Sequence, residues 1–115
     1  MKRVSKQLEY QVADSIVELT ITIGNAQMGA SRVMLGGKVL ATGAVTEEKI
    51  GRGSDLFGKE LAVKTVVADV NDSTNLTNVK YLLTGGKANQ EFNFEETVDQ
   101  HGDAVIYRVE FNFKR

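Results

Sequence analysis

From Ala104 to Lys114 the chain is apolar at every second position. Val105, Tyr107, Val109, Phe111 and Phe113 alternate with Arg108, Glu110, Asn112 and Lys114, and only Ile106 breaks the pattern. Side chains of a strand point alternately to its two faces, so this segment predicts a β-strand with one buried face and one mostly wet face. The same alternation recurs. Lys6–Val12 sets Leu8, Tyr10 and Val12 against Gln7, Glu9 and Gln11, and Ala13-Asp14 reads as a turn. Ser15–Ile23 sets Val17, Leu19, Ile21 and Ile23 against Glu18, Thr20 and Thr22, with the β-branched residues that favour strands. Val79–Thr84 places Val79, Tyr81 and Leu83 on one face, and Lys87–Val98 contributes Phe92 and Phe94.

Glycine pairs mark the turns. Ser31–Leu35 and Lys38–Thr42 flank Gly36-Gly37, and Val79–Thr84 and Lys87–Val98 flank Gly85-Gly86. Two short apolar runs joined by Gly-Gly read as a tight hairpin, because glycine reaches the positive φ that primed turns require. Gly24–Ala30 reads as a loop of small residues, Asp69–Asn78 as a polar loop, and Asp99–Asp103 as the turn into the last strand.

Two regions depart from simple alternation. Lys59–Val70 is apolar on both faces: Leu61, Val63 and Val67 share one, and Ala62, Val66, Ala68 and Val70 share the other. That predicts a central strand whose second face is covered by another layer or another subunit. Gly43–Gly58 is the least regular stretch, with a weak strand near Thr46–Ile50 inside an otherwise long connection. Long connections in compact domains are often functional. No long stretch carries a helical period, and no internal repeat is present. The expected fold is therefore a single all-β domain over residues 1–115: an antiparallel β-sandwich of about seven or eight strands. Its expected architecture is immunoglobulin-like or C2-like, and its last three strands should form a meander.

Composition narrows the function classes. Hydrophobic residues at 42% and charged residues at 25% fit an ordinary globular domain. There is no cysteine, so neither disulfides nor thiolate metal sites contribute, which fits a reducing compartment. No apolar run is long enough to span a membrane as a helix. The N-terminal residues alternate instead of forming an apolar core, so no signal peptide is expected. With 14 basic against 15 acidic residues, net charge is −1, and the basic excess of a nucleic-acid binder is missing.

Candidate chemistry is sparse. Gly53 to Lys59 fits the phosphate-loop spacing G-x-x-x-x-G-K, but Glu60 stands where Ser or Thr should hold magnesium, and the residues after it are strand-like. His101, the single histidine, lies in a Gln-His-Gly-Asp turn with no nucleophile to activate. Glu91, Glu95 and Glu96 suit cross-strand pairing with basic residues of the last strand better than a catalytic cleft. In a meander, the loops 69–78 and 99–103 fall at one end of the sandwich. Asp69, Asp72, Asp99 and Asp103 would then be candidate calcium ligands, since calcium takes carboxylate, amide and carbonyl oxygens. Asp and Asn are equally the common residues of solvated turns.

The sequence thus carries no catalytic motif. It points first to a module that works by contact with a protein partner or with itself as a homo-oligomer. The expected contact residues are Arg52, Leu56 and Phe57 of the long loop. A calcium- or ligand-binding sandwich is the alternative.

Overall fold

The computed structural model describes residues 1–115, which form nine strands and one short helical turn. In chain order they are β1 Lys2–Gln11, β2 Ile16–Ile23, β3 Met28–Leu35, β4 Lys38–Gly43 and β5 Glu48–Arg52. Then come α1 Gly53–Leu56, β6 Glu60–Ala68, β7 Leu76–Thr84, β8 Gln90–Thr97 and β9 Ala104–Lys114. A five-stranded sheet runs β1-β9-β6-β3-β4 and packs on a four-stranded sheet, β5-β2-β7-β8. The all-β sandwich is therefore the fold. No helix is long and apolar enough to cross a membrane.

The alternating residues of β9 all face the other sheet. Val105, Tyr107, Val109, Phe111 and Phe113 are each at most 1% exposed. The inner faces of β2 and β7 meet them with Val17, Leu19, Val79, Tyr81 and Leu83, and β6 adds Leu61, Val63 and Val67 beside β9. Aromatic rings fill the centre: Phe111 packs edge-on against Tyr81 at 6.0 Å and tilted against Phe92 at 5.4 Å.

Two features differ from expectation. The last three strands are not a meander. β7 and β8 form a hairpin in the smaller sheet, and β9 crosses to the larger one, between β1 and β6. The crossing loop is steered by Asp69, whose N–H donates to the Asp103 carbonyl at 2.9 Å and whose carbonyl accepts from the Gly102 N–H at 3.0 Å. Those bonds place the start of β9 beside the end of β6. The pairings are also not all antiparallel, since β1 lies parallel to β9 along ten residue pairs, Lys2↔Val105 to Gln11↔Lys114.

The irregular stretch 43–58 is ordered, with β5 completing the smaller sheet and α1 turning beneath it. Both residues of the β3–β4 turn, Gly36 and Gly37, have positive φ, as the hairpin reading requires. Gly85-Gly86 has a further reason. A Cβ on Gly85 would stand 1.8 Å from the Ile16 carbonyl oxygen, and one on Gly86 would stand 2.6 Å from the Tyr10 hydroxyl.

Buried hydroxyls tie the sheets together. Tyr81 of β7 donates to Thr65 Oγ1 of β6 at 2.8 Å, and Thr65 is hydrogen-bonded to Ser31 of β3. Thr77 of β7 donates to the Glu96 carbonyl, so the 2.6 Å contact with Tyr107 of β9 has the tyrosine as donor. Tyr10 donates to the Ala88 carbonyl and accepts from the Gly86 N–H, fixing β1 to the β7–β8 turn.

Burial raises the pKa of Tyr10, Tyr81 and Tyr107 above the ordinary tyrosine value, with hydrogen bonds offsetting part of the effect. The folded chain therefore keeps these phenols neutral, whereas the unfolded chain ionises them at about pH 10. Above that pH the unfolded state loses protons that the folded state retains, and stability falls. The melting temperature should fall as pH rises past about 10. Tyr81→Phe should cost about 1 kcal/mol at neutral pH and make the alkaline fall shallower. A fall of the same steepness in that variant would exclude Tyr81 as its main source.

Candidate functional site

At one end of the sandwich a polar knot joins three loops. Gln27, at the entrance to β3, is only 7% exposed. Its amide nitrogen donates to Asp69 Oδ1 at 2.8 Å and to the Leu76 and Thr74 carbonyls at 3.1 and 3.3 Å. Its oxygen accepts from the backbone N–H groups of Val70 and Asn71 at 2.7 and 2.9 Å. One side chain thus stands in for a strand at the point where β6 ends and the loop toward β7 begins.

Asp69 is fully buried, and its Oδ2 has no hydrogen-bond partner. His101 Nδ1 lies 3.8 Å from that oxygen, while His101 Nε2 lies 3.1 Å from Asp72 Oδ1. The loops 69–78 and 99–103 do share an end, though through the crossing of β9 and not through a meander. Asp99 and Asp103 are turned to other partners. Lys2 Nζ reaches Asp99 at 3.6 Å and Glu96 at 3.5 Å, and the N-terminal ammonium lies 3.4 Å from Asp103. The Ala104 N–H, bonded to Asp103 at 2.8 Å, holds that carboxyl below the usual carboxylate range, with help from the N-terminal ammonium and Lys2. The basic N-terminus thereby neutralises part of the acidic end. No three His, Asp or Glu side chains gather as a metal cage.

The 43–58 segment offers less surface than expected. Leu56 is 1% exposed and belongs to the core, so it is not the contact residue the sequence led one to expect. Its position in α1 directs the apolar side chain inward under β5. Arg52 pairs with Asp14 at 3.4 Å. Phe57 is 46% exposed, with the Arg115 guanidinium 4.5 Å from its ring centre. Both glycines of the phosphate-loop spacing have backbone reasons: a Cβ on Gly53 would stand 1.7 Å from the Ala13 carbonyl oxygen, and Gly58 has a positive φ. The carboxylates of β8 find lysines elsewhere than on β9. Glu91 pairs with Lys80 of β7 at 2.8 Å and Glu96 with Lys2 of β1, because β8 and β9 lie in different sheets.

The outer face of the larger sheet is the feature with no internal explanation. Strand register arranges it in three rows. In the first, Ile106 lies opposite Val66, and Val66 opposite Ala30. In the second, Arg108, Lys64 and Arg32 lie side by side on β9, β6 and β3, with Ser5 and Thr42 at the ends. In the third, Glu110, Ala62, Met34 and Val39 stand in order, with Gln7 beside Glu110. Val66, Val39 and Met28 are 36%, 39% and 66% exposed. All three cations of the middle row are exposed, and none forms an ion pair. Like charges on directly opposed residues destabilise a sheet.

Comparison with family models, with curated proteins and with solved structures finds no match. A sandwich fold alone specifies no function, which resides in sites on the chain.

Sequence reasoning missed Gln27 and the cation row. Gln27 gives no signal, because nothing in its neighbours marks an amide as buried. The row needs strand register, which links residues far apart in the chain. The apolar rows did have a signal: the break at Ile106 and the second apolar face of 59–70 are partners in one cross-strand pair.

Gln27→Ala should cost about 2–4 kcal/mol, because it strands Asp69 Oδ1 and two backbone N–H groups in a buried setting. Urea denaturation reads this directly. A loss below about 1 kcal/mol would mean that water replaces the amide.

Proposed function

We propose that this chain is a non-enzymatic module that acts by protein–protein contact, and that it docks through the outer face of the five-stranded sheet. One observation carries the reading. The second face of β6 carries Ala62, Val66 and Ala68 around Lys64, and neither sheet of the chain is layered over it. The four-stranded sheet covers Leu61, Val63 and Val67, whereas Val66 is 36% exposed beside Ile106, which is itself only 8% exposed. Exposed apolar surface bordered by polar groups is characteristic of interaction sites. The occupant is another protein or a second copy of this chain.

A photo-crosslinking residue at Val66 tests this in extract of cells that make the protein. The expected result is a discrete adduct at position 66, competed by unlabelled wild-type chain, and no adduct from Thr22 on the smaller sheet. An adduct with the mass of two chains identifies self-association. Equal labelling at both positions overturns the docking face.

The second reading, a cation-binding end, is supported by the unpartnered Asp69 Oδ2. A calcium ion shared by Asp69 and Asp72 would have to displace the His101 imidazole that lies between them. A ligand at a hundredfold its Kd adds about 2.7 kcal/mol, which moves the melting temperature of a domain this size by roughly 10–20 °C. Under this reading millimolar calcium raises the melting temperature over that in EDTA, and an unchanged value removes it.

A further inference from the structure

The three cations of the outer face line a groove that runs across the strands. One depression of about 220 Å³ is walled by Arg32, Met34, Ala62, Lys64, Arg108 and Glu110. A second joins it at Arg108 and Glu110 and continues over Ser5 and Gln7 toward β1. Neighbouring strands lie about 4.8 Å apart, so the row Arg108–Lys64–Arg32 spans on the order of 10 Å. The one carboxylate in the groove is Glu110, whose oxygen is taken by the Gln7 amide at 3.2 Å. Ion pairs elsewhere in the molecule hold Lys2 to Glu96 and Asp99, Lys80 to Glu91, and Arg52 to Asp14. The three cations of the middle row form none, although they stand abreast on adjacent strands.

Resting on the docking face just described, we propose that its occupant is an acidic, extended segment of a partner protein. Its carboxylates lie along Arg108, Lys64 and Arg32, and its apolar side chains settle on the flanking rows. Same-side residues of an extended chain recur every ~6.6–6.8 Å, so two carboxylates at alternate positions fit within the span of the row. Arg32 and Arg108 present planar forks that take carboxylates in two-point contact, and Lys64 adds a point charge between them. One feature favours protein over nucleic acid. The row is bordered on both sides by apolar residues, Val66 and Ile106 on one and Ala62, Met34 and Val39 on the other, which suit apolar side chains better than a sugar–phosphate backbone.

The test uses the full chain and a fluorescein-labelled peptide with Glu at alternate positions and Thr or Leu between them. Fluorescence anisotropy should report binding that falls at least tenfold from low to high salt, as screened charge contacts require. The same peptide with Gln for Glu should not bind. The triple variant R32Q/K64Q/R108Q should lose at least tenfold in affinity. Its melting temperature should equal or exceed that of wild type, because the substitutions relieve repulsion across three strands. Several outcomes overturn the proposal: no peptide binding by the folded wild-type chain, equal binding by the triple variant, or tighter binding of a single-stranded oligonucleotide than of the peptide. If the peptide fails while Val66 still gives its discrete adduct, the docking face stands and the acidic occupant falls. If both fail, the docking face falls with it.

Discussion

The placement of β9 between β1 and β6 is the constraint on which the rest of this structure depends. Its inner side chains are all at most 1% exposed, so it must lie over the middle of the opposite sheet and not at a margin. A central strand needs partners for its backbone on both sides, and β9 takes β1 in parallel on one side and β6 antiparallel on the other. Pairing the two ends of the chain carries a large loop-closure cost, which only an extensive buried face offsets. Five large apolar and aromatic residues on one strand supply that face.

That placement sets the polar interior as well. Once β9 faces β7, the Tyr107 hydroxyl lands on Thr77, and the Tyr81 hydroxyl crosses in the other direction to Thr65. Two hydroxyl contacts of opposite sense lock the mutual position of the sheets more specifically than apolar contact does, because each phenol accepts only one arrangement of partners. The same crossing brings the loop before β9 onto the end of β6, where the Asp69 backbone holds it and Gln27 closes the gap. The acidic end is therefore a consequence of topology: its aspartates serve chain routing and pair with the N-terminus that the β1–β9 ladder delivers there.

Inner faces were legible in the sequence, and neighbours were not. Period-two alternation identified the buried residues of β1, β2, β7 and β9, because a half-buried strand must alternate. The Gly36-Gly37 hairpin was legible for the same local reason, since positive φ at both positions selects glycine. Local pattern says nothing about which strand lies beside which, so the meander was inferred from chain order and failed at the Asp69–Asp103 bonds. Gly43–Gly58 looked irregular because β5 is short and bulged against β2, and because its glycines answer to positive φ at Gly43 and Gly58 and to the close crossing of Gly53 over Ala13. The acidic loops were correctly placed together, yet their lysine and ammonium partners come from the opposite end of the sequence.

Inside this molecule every buried side-chain nitrogen and oxygen has a hydrogen-bond partner, with Asp69 Oδ2 the single exception. Outside, the larger sheet departs from what stability alone would select. A solvated sheet face gains by alternating opposite charges across strands, yet Arg108, Lys64 and Arg32 stand abreast. In the next row Ile106, Val66 and Ala30 are abreast, and Val66 stays 36% exposed. The charge row costs stability, and it lies on the same three strands as the apolar row. Sequences depart from local consistency chiefly where another requirement outweighs it, and here that requirement has a direction: a surface charged along its middle and apolar along its sides matches a partner patterned in the opposite sense.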